Sequence, residues 1–460
     1  MKDYRGYSFW LETVTDDLTP RPSLVGSIDV DVAILGAGYS GLWTAFYLTE
    51  RDPELRIAIV EREIAGFGAS GRNGSWVSSG FPLSPGMLIE RYGTARTRAL
   101  ELAMFDSIDE IGRVCDAEGI DAQFRKNGVL RIARGKHQLP ALRNSYNSYA
   151  ELGLADDLRI LDAVETAALV RVAGAEASLA SPHCANIQPA ALVRGLARVV
   201  ERRGVTIYEG TTVTGFSARR DARLETDRGD VRAGAILLCG ESYLSRLPAL
   251  HRQIIPVYSL IGLTEPLADD QWGRIGWSGG EALSSFRYTV DYLAKTCDGR
   301  ILFGSRGAPY HYGSRIEDSY DRHGPTHAAI QRLFHDWFPQ LGDVRFTHSW
   351  GGPVGMPRDQ MPTVAFDPAT RIGTARGYTG QGVATSNLAG RVLADLVADT
   401  PSPLRDLPFV DHQSPNWEPE PLRWLGVRYV QEGFGRIDAK AERTGRAPTG
   451  RSIPERLGRH

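Results

Sequence analysis

The segment Asp31-Val32-Ala33-Ile34-Leu35-Gly36-Ala37-Gly38-Tyr39-Ser40-Gly41-Leu42 restricts the fold more than any other stretch. An apolar, β-branched run from Val30 to Leu35 has the character of a buried strand, and it stops at Gly36. Apolar residues then recur at helical spacing through Leu42, Ala45, Phe46 and Leu48. Gly36, Gly38 and Gly41 satisfy G-x-G-x-x-G at this strand-to-helix turn. The first glycine permits the tight turn, the second lets backbone approach a pyrophosphate, and the third lets the helix press on the strand. The helix N-terminus around Ala37, Tyr39 and Ser40 offers N–H groups and a positive dipole end to phosphates. A second strand, Ile57–Val60, ends at Glu61, and 61 − 36 = 25 residues is close to the spacing of a ribose-binding acid. The pattern points to a dinucleotide and leaves FAD and NAD both open.

At 460 residues the chain can hold two or more cores, since single cores stop growing near about 250–300 residues. A net charge of −2 gives no global case for nucleic acid. No apolar run reaches the roughly 18 residues of a membrane span. The start, Met1-Lys2-Asp3-Tyr4-Arg5, has no apolar signal core. Cys115, Cys184, Cys239 and Cys297 are scattered, with neither C-x-x-C nor metal-ligand spacing, and fit reduced, mostly buried thiols in a cytoplasmic protein.

Residues 1–28 form a polar arm whose Tyr7, Phe9 and Trp10 are expected to pack on the surface of the domain. After Glu61 the chain departs from an ordinary NAD domain. It enters a loop, Ala65 to Trp76, dense in glycine and small polar residues, which is costly in entropy unless something orders it. Residues 86–118 and 141–152 read as helices, Gly128 to Ile132 as a strand, and Leu161–Thr166 as a strand-to-helix junction. Pro189 opens a further helix. Short strands follow at Val205–Tyr208, Thr211–Phe216 and Arg223–Thr226. The apolar run Ala235 to Gly240 brings the chain back to the nucleotide-binding sheet. From 251 to about 350 the pattern is β-rich, with strands at Ile254–Leu263, Ser285–Val290 and Arg300–Gly304. A second glycine-rich helix start lies at Gly377-Tyr378-Thr379-Gly380-Gln381-Gly382-Val383. Residues 421–440 form an amphipathic helix, expected to dock on the protein surface, and 441–460 are expected to be mobile.

Gly36-x-Gly38-x-x-Gly41, Gly68-Ala69-Ser70-Gly71-Arg72-Asn73-Gly74, Phe286-Arg287, Gly299 to Gly304, Trp350-Gly351-Gly352 and Gly377 to Gly382 together resemble the D-amino-acid-oxidase-type FAD-dependent oxidoreductases. The Gly-Ala-Ser-Gly-Arg-Asn-Gly form is closest to the gamma-glutamylputrescine oxidase branch, and the similarity runs from about residue 7 to 435. The resemblance implies an α/β fold. A Rossmann-like FAD-binding domain of the glutathione-reductase type would take residues 29–85, 186–250 and 350–400. A substrate domain on a mostly antiparallel sheet flanked by helices would take 86–185 and 251–349. Residues 401–460 would be an extension with one amphipathic helix. It assigns FAD contacts to Gly36, Ala37, Gly38, Tyr39, Ser40 and Gly41 for the pyrophosphate, and to Glu61 and Arg62 on the ribose side. Gly68, Ala69, Ser70, Arg72, Asn73, Gly74, Ser75 and Trp76 would run along the flavin. Gly380, Gln381, Gly382 and Val383 would meet its pyrimidine end, Gly352 would also bind the cofactor, and Val213, Cys239 and Gly240 would flank the adenine. Some relatives attach FAD through a His or Cys; neither occurs in Gly66–Ser75, so non-covalent FAD is expected. Ser75 stands where many relatives have glycine.

The implied reaction is C–N oxidation: hydride passes from the carbon beside an amine to flavin N5, and the imine hydrolyses. The partners are then a small amine or amino acid and O2, reduced to H2O2, in a monomer or homodimer. Tyr258, Tyr288 and Tyr378 are candidates for managing the amine's proton, Arg287 for a carboxylate clamp, and Trp76 and Trp350 for pocket walls. Gly380-Gln381-Gly382, where a flavoprotein hydroxylase carries Gly-Asp, disfavours that class, and the absence of redox cysteine pairs disfavours a disulfide reductase. A dehydrogenase passing electrons to a quinone or electron-transfer protein stays open, as does a non-catalytic flavin scaffold. Acid precipitation of the purified protein is expected to leave all the flavin in the supernatant; a pellet that stays yellow contradicts non-covalent binding.

Overall fold

The computed structural model describes residues 2–218, 222–306 and 308–458. Ser8 caps the short helix α1 (Phe9–Thr13) by accepting from the Leu11 N–H, and the arm then enters β1 (Ile28–Leu35). Helix α2 (Tyr39–Arg51) and β2 (Ile57–Val60) complete a βαβ unit, and β3 (Trp76–Ser78) follows the glycine-rich loop. The long α3 (Pro85–Glu118) starts with proline behind a serine cap and bends at Gly93, whose φ is 79°. Next come β4 (Val129–Arg134), α4 (Leu139–Glu151), β5 (Arg159–Asp162), α5 (Ala163–Leu169), β6 (Ala175–Ser181) and β7 (Cys184–Asn186). Asp162 makes the β5–α5 junction by accepting from the Val164 and Glu165 N–H groups, a capping box. Helix α6 (Pro189–Arg202) leads to β8 (Thr206–Tyr208), β9 (Val213–Ser217), β10 (Arg223–Thr226) and β11 (Gly229–Leu238). The β-rich part holds β12 (Ile255–Thr264), α7 (Asp269–Ile275), β13 (Ala282–Ser285), β14 (Asp291–Lys295), β15 (Ile301–Arg306), α8 (Gly324–Trp337) and β16 (Phe346–Met356). The chain closes with β17 (Thr363–Asp367), β18 (Ile372–Arg376), α9 (Gly382–Val397), α10 (Leu422–Thr444) and α11 (Ile453–Leu457).

Two sheets organise these elements. In the first, β18, β11, β1, β2 and β8 lie side by side and parallel, with β17 antiparallel at one edge and β10 and β9 turning back from β11. The register sets Leu35 opposite Leu238, and the Cys239 N–H bonds the Leu35 carbonyl at 2.9 Å. Cys239-Gly240 therefore lies beside Gly36, as the apolar run before it implied. The second sheet runs β16-β12-β15-β14-β13-β4-β6-β5, antiparallel except for the β13–β4 pair. The expected α/β architecture, a Rossmann-like sheet plus a mostly antiparallel one, is the one found.

Three local expectations change. Of Ser285–Val290 only Ser285 is in a strand, as the last residue of β13, and the rest is the bend between β13 and β14. Its backbone donors go to side chains rather than to a ladder: Ser285 N–H to Asp291, Phe286 N–H to Gln138, and Tyr288 and Thr289 N–H to Asp438. The tail beyond 441 is folded, with α11 packed on α10 and Glu455 buried while accepting from Ser452, Gly450 and the Tyr288 hydroxyl. The extension thus holds two helices rather than one. The N-terminal aromatics do more than cover a surface, since Phe9, Trp10 and Leu11 share a buried cluster with Phe67, Leu302 and Trp350.

Helix α3 sits in the same hydrophobic cluster as α2, α6 and α9, and β16 carries residues 350–356 in the second sheet. The boundaries at 85/86 and 349/350 therefore fall inside packed units. Among the described residues no helix is long and apolar enough to cross a membrane. Helices α2 and α9 cross in contact, where a Cβ on Gly390 would stand 2.6 Å from the Trp43 Cβ. Gly390→Val is expected to cost about 1–3 kcal/mol through overpacking, read as a lower urea midpoint at unchanged slope.

Candidate active site

The first glycine turn has no room for side chains. Gly36 has φ +102°, and a Cβ there would be 2.9 Å from the Cys239 carbonyl oxygen; one on Gly41 would run into the Gly36 carbonyl. The turn and the α2 N-terminus face Ser70, whose Oγ accepts from the Tyr39 N–H at 2.9 Å. Glu61, at the end of β2, accepts from the Ala37 and Glu63 N–H groups at 2.9 and 3.0 Å. Burial pushes its carboxyl up against the pull of those two donors. Arg62 lies beside Tyr243 and pairs with Glu63. Val213 opens β9, just past Thr211, whose N–H bonds the Glu61 carbonyl.

The loop after Glu61 is held from outside. Its carbonyls are taken by side chains remote in sequence: Gly71 by Ser8 (2.8 Å), Asn73 by Trp10 (2.8 Å) and Arg72 by Trp350 (3.0 Å). Asn73 donates to the Ala69 and Ser70 carbonyls and accepts from the Ser75 N–H. Ser75 explains its own oddity. It sits at φ 73°, a conformation that favours glycine, and is retained there by hydrogen bonds with both the N–H and the carbonyl of Ile187. The buried Arg72 guanidinium donates to the Tyr243 hydroxyl at 2.8 Å and faces Asp321 at 3.7 Å.

The second glycine turn meets the first. The Tyr378 and Ser40 hydroxyls are 2.7 Å apart, and Gln381 begins α9 with no side-chain cap on its N–H groups. Glu241, which composition and spacing did not single out, fixes this turn. Its carboxylate accepts from the N–H groups of Gly377 (2.7 Å), Gly355 (3.1 Å) and Tyr378 (3.3 Å), and burial lifts it to about 7.

Against the inner face of the second sheet lies a cavity of about 930 Å³. Ala69, Arg72, Asn73, Gly74 and Trp76 line it, as do Gly352, Gly380, Gln381, Gly382 and Val383. The two distant glycine-rich segments thus share one pocket. Tyr292 completes the wall; a Cβ on Gly74 would strike its ring.

The candidate catalytic residues fare differently. Arg287 lines the cavity, but its guanidinium bonds Glu442 at 2.5 Å and faces Asp438 at 3.7 Å, so it ties down α10 rather than standing free for a carboxylate. Tyr258 points to the other face of β12 and donates to the Glu317 carbonyl; Ser259, next to it, faces the cavity. Trp350 is buried against Trp10, and Tyr378 is buried on Ser40. None of these three lines the cavity. Strand alternation put Tyr258 on the wrong face, and it could be assigned only once the sheet's inner face was known.

The residues fit a dinucleotide: a turn where a Cβ on Gly36 or Gly41 would meet backbone, a helix start behind it, and a second uncapped helix start joined to it through the Tyr378–Ser40 hydroxyl pair. Architecturally this is a nucleotide-binding protein with one mostly parallel and one mostly antiparallel sheet. The chain belongs to the family of FAD dependent oxidoreductases (DAO), whose pattern matches residues 31–396. It is 30% identical over 405 residues to "Probable oxidoreductase OrdL" of Rhizobium meliloti, covering 85% of this chain and 88% of that protein. It is 29% identical over 381 residues to gamma-glutamylputrescine oxidoreductase of Escherichia coli, covering 82% and 86%. Glycine oxidase from Geobacillus kaustophilus has the same fold, with a TM-score of 0.69 at 20% identity over 84% of this chain and 99% of that one. The protein is an FAD-dependent oxidoreductase, as the resemblance implied.

Glu241→Ala leaves three buried N–H groups without an acceptor. It is expected to weaken FAD retention and to lower stability by about 1–3 kcal/mol, measured as flavin lost on gel filtration and as a lower unfolding midpoint.

Proposed function

We propose that the protein oxidises the C–N bond of a small amine, in the manner of a gamma-glutamylputrescine oxidase, with O2 as electron acceptor. The observation that carries this is the pocket shared by residues 69–76, residues 380–383 and the inner face of the antiparallel sheet. The similarity to gamma-glutamylputrescine oxidoreductase over most of both chains supports the same class. The Gly36–Gly41 turn and the α2 N-terminus would hold the pyrophosphate, Glu61 the ribose, and the α9 N-terminus the pyrimidine end. Bound FAD supplies a hydride acceptor for the carbon carrying the nitrogen.

The chain's own contribution is placement and partial desolvation. Phe81, Leu83, Ile261 and Val290 contribute apolar surface to a cavity wall that also carries polar and charged side chains. An ammonium entering it loses hydration, which favours the neutral amine that hydride loss requires. The α9 N-terminus and the Arg72 guanidinium bring positive charge to the wall where negative charge gathers on reduction. Of the three candidate tyrosines, Tyr258 and Tyr378 are turned away, and Tyr288 lines the cavity with its hydroxyl donating to Glu455.

Anaerobic mixing with 4-aminobutyl amides is expected to bleach the flavin, and admitting air to restore the colour with one H2O2 per turnover. Colour restored by a quinone but not by air assigns a dehydrogenase instead. Flavin that no amine bleaches defeats the reading.

A further inference from the structure

Helix α10 packs on the body of the protein along one side. Val427 is buried with Ile255, Val257, Tyr310 and Trp417, a Cβ on Gly433 would meet the Pro454 ring, and Asp438 holds the Tyr288 and Thr289 N–H groups. The other side is one exposed stripe. Leu422, Leu425 and Tyr429 begin it, Glu432 follows, and Arg436, Lys440 and Arg443 end it. All succeed one another at steps of three and four residues, the spacing of a single helix face, and all are exposed. The apolar three are not grazed by solvent but open to it: Leu422 is 61%, Leu425 53% and Tyr429 44% exposed.

At its apolar end the stripe borders an open groove of about 480 Å³, walled by Tyr310, Tyr312, Trp424 and Leu425 together with Arg315 and Arg428. Tyr312 is 51% exposed and extends the apolar surface beyond the helix. The charges around this surface are unbalanced. Arg428 and Arg436 share Glu432, the one acid of the stripe, whereas Arg315, Lys440 and Arg443 have no ion pair among the described residues. Acids nearby are engaged elsewhere: Glu317 accepts from Tyr320, Glu420 from Arg423 and Glu442 from Arg287. Stripe and groove therefore carry net positive charge, although the whole chain carries −2.

We propose that this face docks on an anionic bilayer surface. Leu422, Leu425 and Tyr429 enter the acyl boundary beside Tyr312, and the basic residues of the stripe and groove meet lipid phosphates. Aliphatic side chains leave water there, tyrosine sits at the headgroup level, and each Lys or Arg gains from the negative surface potential. A fluid lipid surface suits this pattern better than a protein partner does. Nothing fixes Lys440 and Arg443 in place, so they can follow moving headgroups, where a folded partner would need acids at set positions. The inner side of the same helix carries Asp438 and Ala441 to the cavity wall, so the docked face and the cavity share one element.

The test uses the FAD-loaded full chain and vesicles of phosphatidylcholine, alone or mixed in equal parts with phosphatidylglycerol, read by co-flotation. The wild type is expected to float with the mixed vesicles at low salt, to stay behind with phosphatidylcholine alone, and to be released as salt rises. Lys440→Gln combined with Arg443→Gln is expected to weaken binding roughly 25-fold, about fivefold for each charge removed. Leu422→Ser combined with Leu425→Ser is expected to weaken it roughly tenfold or more while leaving its salt dependence in place. Both double variants are expected to keep their flavin and their unfolding midpoint. A wild type that floats with neither vesicle, or equally with both, overturns the proposal, and that result needs no variant. Either double variant binding as tightly as the wild type overturns it too. A wild-type dimer that the two leucine changes turn into a monomer, with no flotation, assigns the face to a second copy of the chain instead.

Discussion

A glycine-rich loop keeps one shape here because its carbonyl oxygens are captured from a distance. Ser8 and Trp10 come from the N-terminal arm, and Trp350 from the far end of the second sheet; together they bind the carbonyls of Gly71, Asn73 and Arg72. Flexible residues of this kind lose much entropy on ordering. The loss is offset by burying Trp10 and Trp350 against each other and by satisfying donors that would otherwise be stranded in the core. Loop, arm and second sheet form one unit, and the cavity wall at Ala69–Trp76 depends on all three.

The rest of the cradle follows from register. Parallel pairing of β1 with β11 sets Gly36 beside Cys239-Gly240, and the next pairing, β11 with β18, carries the chain to the second glycine turn. Glu241, two residues beyond Cys239, then gathers the N–H groups of Gly377, Tyr378 and Gly355. One carboxylate thus ties together the nucleotide sheet, the α9 approach and β16, which belongs to the other sheet. A slip in any of these pairings would separate the two glycine turns.

Local pattern was enough where local physics decides. The Gly36–Gly41 turn, the strands flanking it, the proline-started α6 and the Asp162 junction all carry their determinants within a few residues. The second glycine turn and the 68–76 loop were legible as flavin segments only by resemblance, and the shared cavity bears out their proximity. Reading failed where the deciding partner is far away. Ser285–Val290 has strand composition, yet Asp438, about 150 residues on, takes its backbone donors. Arg287 looked free for a ligand because Glu442 belongs to a tail that composition alone made mobile. Glu241 carried no signal in one sequence, since an isolated acid acquires meaning only through burial and the company it keeps.

The tail's place in the wall has an effect on timing. Residues 438, 441, 442 and 447–450 close one side of the cavity, while both glycine-rich turns are finished by residue 383. Chains emerge from the ribosome in order and domains assemble as their residues appear. The glycine-rich segments are therefore made before the chamber beside them is walled in, and α10 with the residues just after it is the last part of that wall to be synthesised.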